Sequence, residues 1–190
     1  MSKMQIENLY KETGALKKGH FLLASGLHSE FYFQAQSLLQ YPAKASKAAE
    51  KIALKWKDKK IDTVVSPAVG AIVLGQEVAR ALNCRHIFVE RKNNAFTFKR
   101  GFSLRPSEKV LVVEDVVTTG VSVKEAIEVI KKYKANILGI ASLLSRGDAC
   151  FSYAFTPLVK VKWPTYEPQK CPLCQKKIPV ETPGTRQAKN

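Results

Sequence analysis

The stretch from Val110 to Ser122, Val-Leu-Val-Val-Glu-Asp-Val-Val-Thr-Thr-Gly-Val-Ser, constrains this chain more than any other. Val110, Leu111, Val112 and Val113 form an unbroken, mostly β-branched run. Such a run reads as a strand buried on both faces, as in a parallel sheet. Glu114 and Asp115 stand where that strand is expected to end, and Thr118, Thr119, Gly120 and Ser122 follow them. Val123 to Tyr133 then carries helical spacing. The order is strand, phosphate-sized turn, helix. Backbone N–H groups of the turn, the positive end of the helix dipole and the hydroxyls of Thr118, Thr119 and Ser122 suit a phosphate dianion. The two carboxylates would repel that phosphate. They suit the neighbouring hydroxyls of a ribose, or a hydrated magnesium ion bound through one or two carboxylates. A ribose 5-phosphate satisfies both halves.

Val113 to Gly120 resembles the phosphoribosyl pyrophosphate (PRPP) motif of the type I phosphoribosyltransferases. A buried strand with a capped helix and water-facing acids is the plainer reading, and it leaves the acid pair and hydroxyl cluster unexplained. The resemblance implies an α/β fold with a central parallel sheet flanked by helices and a small N-terminal hood. It also implies Mg2+ as cofactor, held mainly through PRPP. It assigns Glu114, Asp115, Val116, Val117, Thr118, Thr119, Gly120, Val121 and Ser122 to PRPP, with Glu114 and Asp115 also catalytic.

At 190 residues the chain reads as one domain, long enough to close a core. No run of 18 or more apolar residues occurs, so no membrane span is expected. Met1 to Lys18 lacks the apolar centre of a signal peptide, which points to the cytoplasm. The net charge of +15 is spread over several lysine-bearing segments rather than one arm. It reads as attraction of polyanionic substrates or as a lysine-rich surface, and nucleic acid is not expected. The four cysteines are Cys84, Cys150, Cys171 and Cys174. Without a secretory context a reducing compartment is the default.

Residues 4–16 read as an opening helix, and 20–23 and 30–34 as short strands around a Ser25-Gly26 turn. Gly19 to Gln34 resembles the hood of orotate phosphoribosyltransferases, which implies orotate contacts from Phe31 and Phe33. Packing is the alternative use of those rings. Some family members carry lysines where Ala24 and Gly70 stand, so those two charged contacts are absent here. Pro42 suits a first helical position, and the helix is expected to run to Trp56. Ile61 to Ser66 reads as a strand and Ile72 to Leu82 as a helix. Pro67 to Ala71 between them has side chains small enough for close approach of backbone to ligand.

His86 to Glu90 is the next expected strand, and Arg91 to Phe102 is basic with little to hold it in a core. It reads as a solvated hairpin. The resemblance makes it a mobile catalytic loop that closes over a neighbouring subunit's site in a homodimer. Arg91, Lys92, Lys99 and Arg100 would meet PRPP, with Lys92 and Lys99 catalytic. Residues 135–144 read as a strand ending at Ser145-Arg146-Gly147. Arginine there can clamp a carboxylate bidentately, and the resemblance gives Arg146 to orotate beside Thr118.

Residues 151–162 are expected to form a last strand and 163–190 an irregular tail, with 1–40 as hood and 41–150 as core. Cys171-Pro-Leu-Cys174 has zinc-knuckle spacing, but a full site needs two further ligands, and Cys84 and Cys150 are poor candidates. The segment around those cysteines and Pro183-Gly184-Thr185-Arg186 resemble the tail of one orotate subfamily. The implied reaction is orotate plus PRPP to orotidine 5′-monophosphate and pyrophosphate, in pyrimidine biosynthesis. The alternatives are another base-specific phosphoribosyltransferase and a PRPP-sensing regulator that binds nucleic acid.

Overall fold

The structure, a computed structural model, describes residues 3–93 and 95–183. Asn94 of the basic segment and Gly184 to Arg186 of the tail resemblance lie outside them. The chain opens with α1 (Lys3–Glu12), whose Ile6, Leu9 and Tyr10 are buried. Strands β1 (Leu16–Leu22) and β2 (His28–Phe33) then form an antiparallel hairpin, and the short α2 (Ala35–Leu39) follows. Next come α3 (Pro42–Ala53), β3 (Thr63–Pro67), α4 (Ile72–Leu82), β4 (Arg85–Lys92) and β5 (Ala95–Phe98). The chain continues through β6 (Lys109–Val117), α5 (Val121–Lys131), β7 (Asn136–Arg146), β8 (Phe155–Val161) and the one-turn α6 (Pro172–Gln175).

The main sheet has strand order β5-β4-β3-β6-β7-β8 and is parallel except for β5. As expected, β6 is buried on both faces. Leu111 and Val113 join the core beneath α1, α3 and α4, while Val110 and Val112 join the core beneath α5. The alanines of α3 explain its close seat: Ala45, Ala48 and Ala49 are fully buried. Beyond that helix the edge of the Trp56 ring occupies the space a Cβ on Gly139 would need, and its indole N–H donates to Thr156 Oγ1 at 2.9 Å.

Strand β6 corrects one expectation. Its pairing with β7 runs through Glu114 to Val117, so the acids sit within the strand and not at its end. The segment from Arg91 to Phe102 corrects another. Phe96 and Phe98 are buried in the second core, and β5 pairs with β4, so the sequence did contain anchors for this hairpin. Aromatic residues alternating with polar ones were the signal.

Topology fixes where a ligand belongs. From β3 the chain moves to β4 on one side, and β6 then returns to the other side of β3. Ligands of open α/β sheets bind at such a switch point, outside the carboxyl ends of the strands. Here those ends are the loop after β3, Pro67 to Ala71, and the loop after β6, Thr118 to Gly120.

The amino ends are held by a buried polar knot. Glu108 accepts hydrogen bonds from Thr63 Oγ1 at 2.5 Å, Arg85 Nε at 3.0 Å and the Arg105 N–H at 2.7 Å. Burial pushes the Glu108 carboxyl up, but the Arg105 N–H, the Thr63 hydroxyl and Arg85 together bring it below the usual range. Its stabilising effect is therefore complete above the unfolded glutamate pKa of about 4.3 and is lost as pH falls through the lower folded value. Glu108→Ala is expected to cost about 1–3 kcal/mol at pH 7, the scale for leaving buried partners unsatisfied. Denaturant melts of both proteins would show the gap closing in acid; a gap undiminished by acid would mean that the charge is not its source.

Candidate active site

Successive side chains leave opposite faces of β6, yet the Glu114 and Asp115 carboxyl groups meet in a side-chain hydrogen bond. Glu114 is buried and lines a cavity of about 60 Å³ enclosed by Val116 to Val123. Its Oε1 accepts the Asp115 N–H at 3.1 Å. Asp115 faces the hood, and its Oδ1 accepts the Val116 N–H at 2.7 Å. Burial raises the Asp115 carboxyl above the ordinary range, against the lowering effect of the hydrogen bonds around it. The acid pair thus joins the two sides of the site: Glu114 lines the phosphate-sized cavity, and Asp115, in contact with it, lies toward Gln36 of the hood.

The cavity has the chemistry of an anion site. Helix α5 begins after Gly120, which has φ 77°, and no side chain caps its first turn. The orphan N–H groups of that turn remain available to a ligand. Gly120 also has no room for a side chain, since a Cβ there would stand 2.7 Å from the Phe151 ring. Thr118 and Thr119 are exposed at the mouth.

Two hood residues that the sequence reading missed complete this side. Gln36 Nε2 donates to the Gly70 carbonyl at 2.8 Å and approaches Asp115 Oδ2 at 3.5 Å. It ties α2, the Pro67 to Ala71 loop and the acid together. A Cβ on Gly70 would stand 2.6 Å from Asp115 Oδ2, which accounts for glycine in that loop. The Tyr32 hydroxyl is pushed up by burial and then by the Asp115 charge, so the hairpin reaches the acid as well. Glutamine in a five-residue helix has no sequence pattern to mark it; only the fold brings residues 36, 70 and 115 together.

Arg146 lies at the carboxyl end of β7, where its Nη2 donates to Ser29 Oγ at 2.8 Å. Its guanidinium stands 5.5 Å from the Trp163 ring centroid, and Trp163 stacks on Phe31 at 5.4 Å. Burial lowers the Arg146 pKa from its usual value. Phe31, Trp163, Ser29 and Arg146 therefore form a flat, cationic corner beneath the hood. Trp163 and Ser29 were not singled out from sequence. Phe33, expected beside orotate, is instead buried with its ring 4.7 Å from Tyr10. It packs the hood onto α1.

The basic hairpin presents its cations unevenly. Arg91 pairs with Glu125 of α5 at 2.6 Å and lies over the Phe96 ring at 4.3 Å. Arg100 binds Glu90 through Nε and Nη2 at 2.7 and 3.0 Å. Lys99 Nζ donates to the Arg91 carbonyl at 3.0 Å, and Lys92 is exposed.

Residues 34–151 match the phosphoribosyl transferase domain. Over 191 residues the chain is 46% identical to a Caldicellulosiruptor saccharolyticus protein named orotate phosphoribosyltransferase, spanning 100% of each chain. The chain belongs to the orotate phosphoribosyltransferase family. A Thermotoga maritima protein of the same name is 45% identical over 183 residues, which are 95% of this chain and 98% of the relative. The crystal structure of orotate phosphoribosyltransferase from Aeropyrum pernix aligns with TM-score 0.69 at 22% identity, covering 82% of this chain and 93% of that one. That likeness shows the fold. Membership in the orotate phosphoribosyltransferase family agrees with the position of the acid pair and anion loop at the switch point. Among the described residues no helix is long and apolar enough to cross a membrane.

Proposed function

We propose that this phosphoribosyltransferase moves the 5-phosphoribosyl group of PRPP to orotate, giving orotidine 5′-monophosphate and pyrophosphate. The observation that carries the reading is the contacting acid pair Glu114 and Asp115 beside one anion cavity, which Glu114 lines, at the sheet's switch point. The loop from Thr118 to Ser122 holds the 5-phosphate by its N–H groups and hydroxyls. Glu114 and Asp115 accept from the ribose hydroxyls and offset the positive charge that grows on the sugar as its C1′–O bond breaks. A ring nitrogen of orotate then closes the C1′–N bond. Pyrophosphate leaves toward the Pro67 to Ala71 loop and the cations of the basic hairpin. Catalysis here is positioning and charge stabilisation without a covalent intermediate.

The donors at this site are carboxylate and hydroxyl oxygens, which suit Mg2+ and not a softer metal. Mg2+, where bound, would neutralise the leaving pyrophosphate, and Glu114 and Asp115 are the carboxylates of this site that would help to hold it. Two copies pair so that the hairpin of one covers the site of the other, and the enzyme works in the cytoplasm.

Orotate consumption followed optically with PRPP and Mg2+ tests the reading, and a base panel separates it from the purine enzymes. Arg146→Lys sharpens the test. It keeps the charge but loses the planar fork, and the two are not interchangeable at a bidentate site. Orotate affinity is expected to fall by about 1–3 kcal/mol, the scale of a lost charged hydrogen bond, with PRPP affinity nearly intact. Equal losses for both substrates would make Arg146 a structural residue tied to Ser29.

A further inference from the structure

Neither Cys84, which lies between α4 and β4, nor the exposed Cys150 joins the Cys171-Pro-Leu-Cys174 knuckle in space. Two histidines of the hood hairpin do. His20 of β1 and His28 of β2 face each other, with ring centroids 4.7 Å apart. His20 Nε2 lies 3.5 Å from Cys171 Sγ and 3.6 Å from Cys174 Sγ. His28 Nδ1 lies 3.3 Å from Cys174 Sγ and 2.7 Å from His20 Nε2. All four donor atoms lie within 4.8 Å of one another.

Those distances match one ion at the centre. Tetrahedral zinc, with Zn–N of about 2.0–2.1 Å and Zn–S of about 2.3 Å, separates adjacent nitrogen and sulfur ligands by roughly 3.6 Å and two nitrogens by roughly 3.4 Å. The three short nitrogen–sulfur distances, 3.5, 3.6 and 3.3 Å, lie close to that value, and the two rings need to part by less than about 1 Å to accept the ion. The outer partner of one ligand is also in place. His20 Nδ1 lies 2.7 Å from the Ile178 carbonyl oxygen, which can only accept, so Nδ1 carries the proton and Nε2 turns its lone pair to the centre. Ligating histidines characteristically have such a partner. Cys171 and His20 are 0% and 1% exposed, so the donors are gathered away from water. Two sulfurs and two imidazole nitrogens are a donor set that suits tetrahedral zinc among common cellular cations.

The surrounding backbone shows what such an ion would hold. Residues after Pro164 have little core of their own, yet they meet the hood hairpin on both edges. His28 and Tyr166 exchange N–H···O bonds at 2.8 and 2.9 Å. Leu22 donates to the Glu181 carbonyl at 2.9 Å, and the Glu181 N–H to that of His20 at 2.8 Å. The knuckle turn is closed by Gln175 N–H to Cys171 O at 3.1 Å and Lys177 N–H to Cys174 O at 2.9 Å. A segment this short is the kind that needs a staple.

We propose that His20, His28, Cys171 and Cys174 bind one zinc ion that fastens the C-terminal segment to the hood hairpin. Four protein ligands leave no open position, so the ion is structural, and the proposal does not depend on the reaction catalysed. The full chain, purified without added metal, is expected to carry about one zinc per chain by elemental analysis. After zinc is removed with a chelator under reducing conditions, Co2+ added to the wild-type chain should give tetrahedral d–d bands and a thiolate-to-metal charge-transfer band. Refilling with Zn2+ should bleach those bands and raise the melting temperature by several degrees. Cys174→Ser and His28→Ala should each lose the stoichiometric ion. Wild-type chain without zinc that gives no cobalt spectrum would overturn the proposal, even if both variants fail to fold. So would stoichiometric iron in place of zinc, a Cys171–Cys174 disulfide in protein kept reduced, or zinc retained in full by folded variants.

Discussion

Asp115→Asn is expected to lower turnover with PRPP on the order of 100-fold or more, the scale seen when one preorganised group at a developing charge is removed. The exchange keeps size and one acceptor oxygen but removes the negative charge beside the reacting sugar. Asp115 is the acid with the most specific surroundings, held by the Val116 N–H at 2.7 Å and facing Gln36 and Gly70. Burial raises its pKa, so its ionised form is reached at a higher pH than for a free aspartate. The acid limb of the wild-type rate profile should therefore lie above the ordinary aspartate range of about 3.9 and should flatten in Asp115→Asn. Glu114→Gln is expected to reduce turnover too, because Glu114 lines the cavity itself. Steady-state kinetics with both substrates checks the pair. Unchanged kinetics in both variants would remove the acids from the mechanism.

The central strand and the motif after it were legible because one short stretch carries all the signals at once. Four consecutive apolar residues fix a doubly buried strand, and a glycine before a helical pattern fixes the turn. The helix start at Pro42 was equally open to reading, through proline at a first position, while the left-handed stop at Asn83, φ 53°, came from the structure. What sequence hid is long-range. Gln36, Gly70 and Asp115 meet only after the sheet has formed, and Ser29, Arg146 and Trp163 come from three separate segments. Phe33 shows how two like residues part in the fold. Phe31 and Phe33 share a strand and a residue type, yet one stacks on Trp163 and the other fills the space against Tyr10. Only the position of α1 distinguishes them.

The hairpin from Arg91 to Gly101 poses the same problem at the scale of the assembly. Its two arginines are paired within their own chain, to Glu125 and Glu90, while Lys92 is exposed. The buried Phe96 and Phe98 anchor β5 to the second core beside those cations. If the hairpin serves a partner's site, two inactive variants should restore each other when mixed. Asp115→Asn subunits keep the hairpin, and subunits with both Lys92→Ala and Lys99→Ala keep the pocket. A mixed two-fold dimer then holds one intact composite site, and random exchange at equal amounts should return about a quarter of wild-type activity. Lys99 donates to the Arg91 carbonyl at 3.0 Å, so Lys92→Ala alone, paired with Asp115→Asn, separates loss of a cation from loss of the hairpin's shape. Subunit exchange is read independently by native mass spectrometry of a tagged and an untagged chain. Confirmed exchange without recovery at any ratio would place each hairpin over its own site. The polyanionic product would still leave past the same cations, but each chain would then act alone.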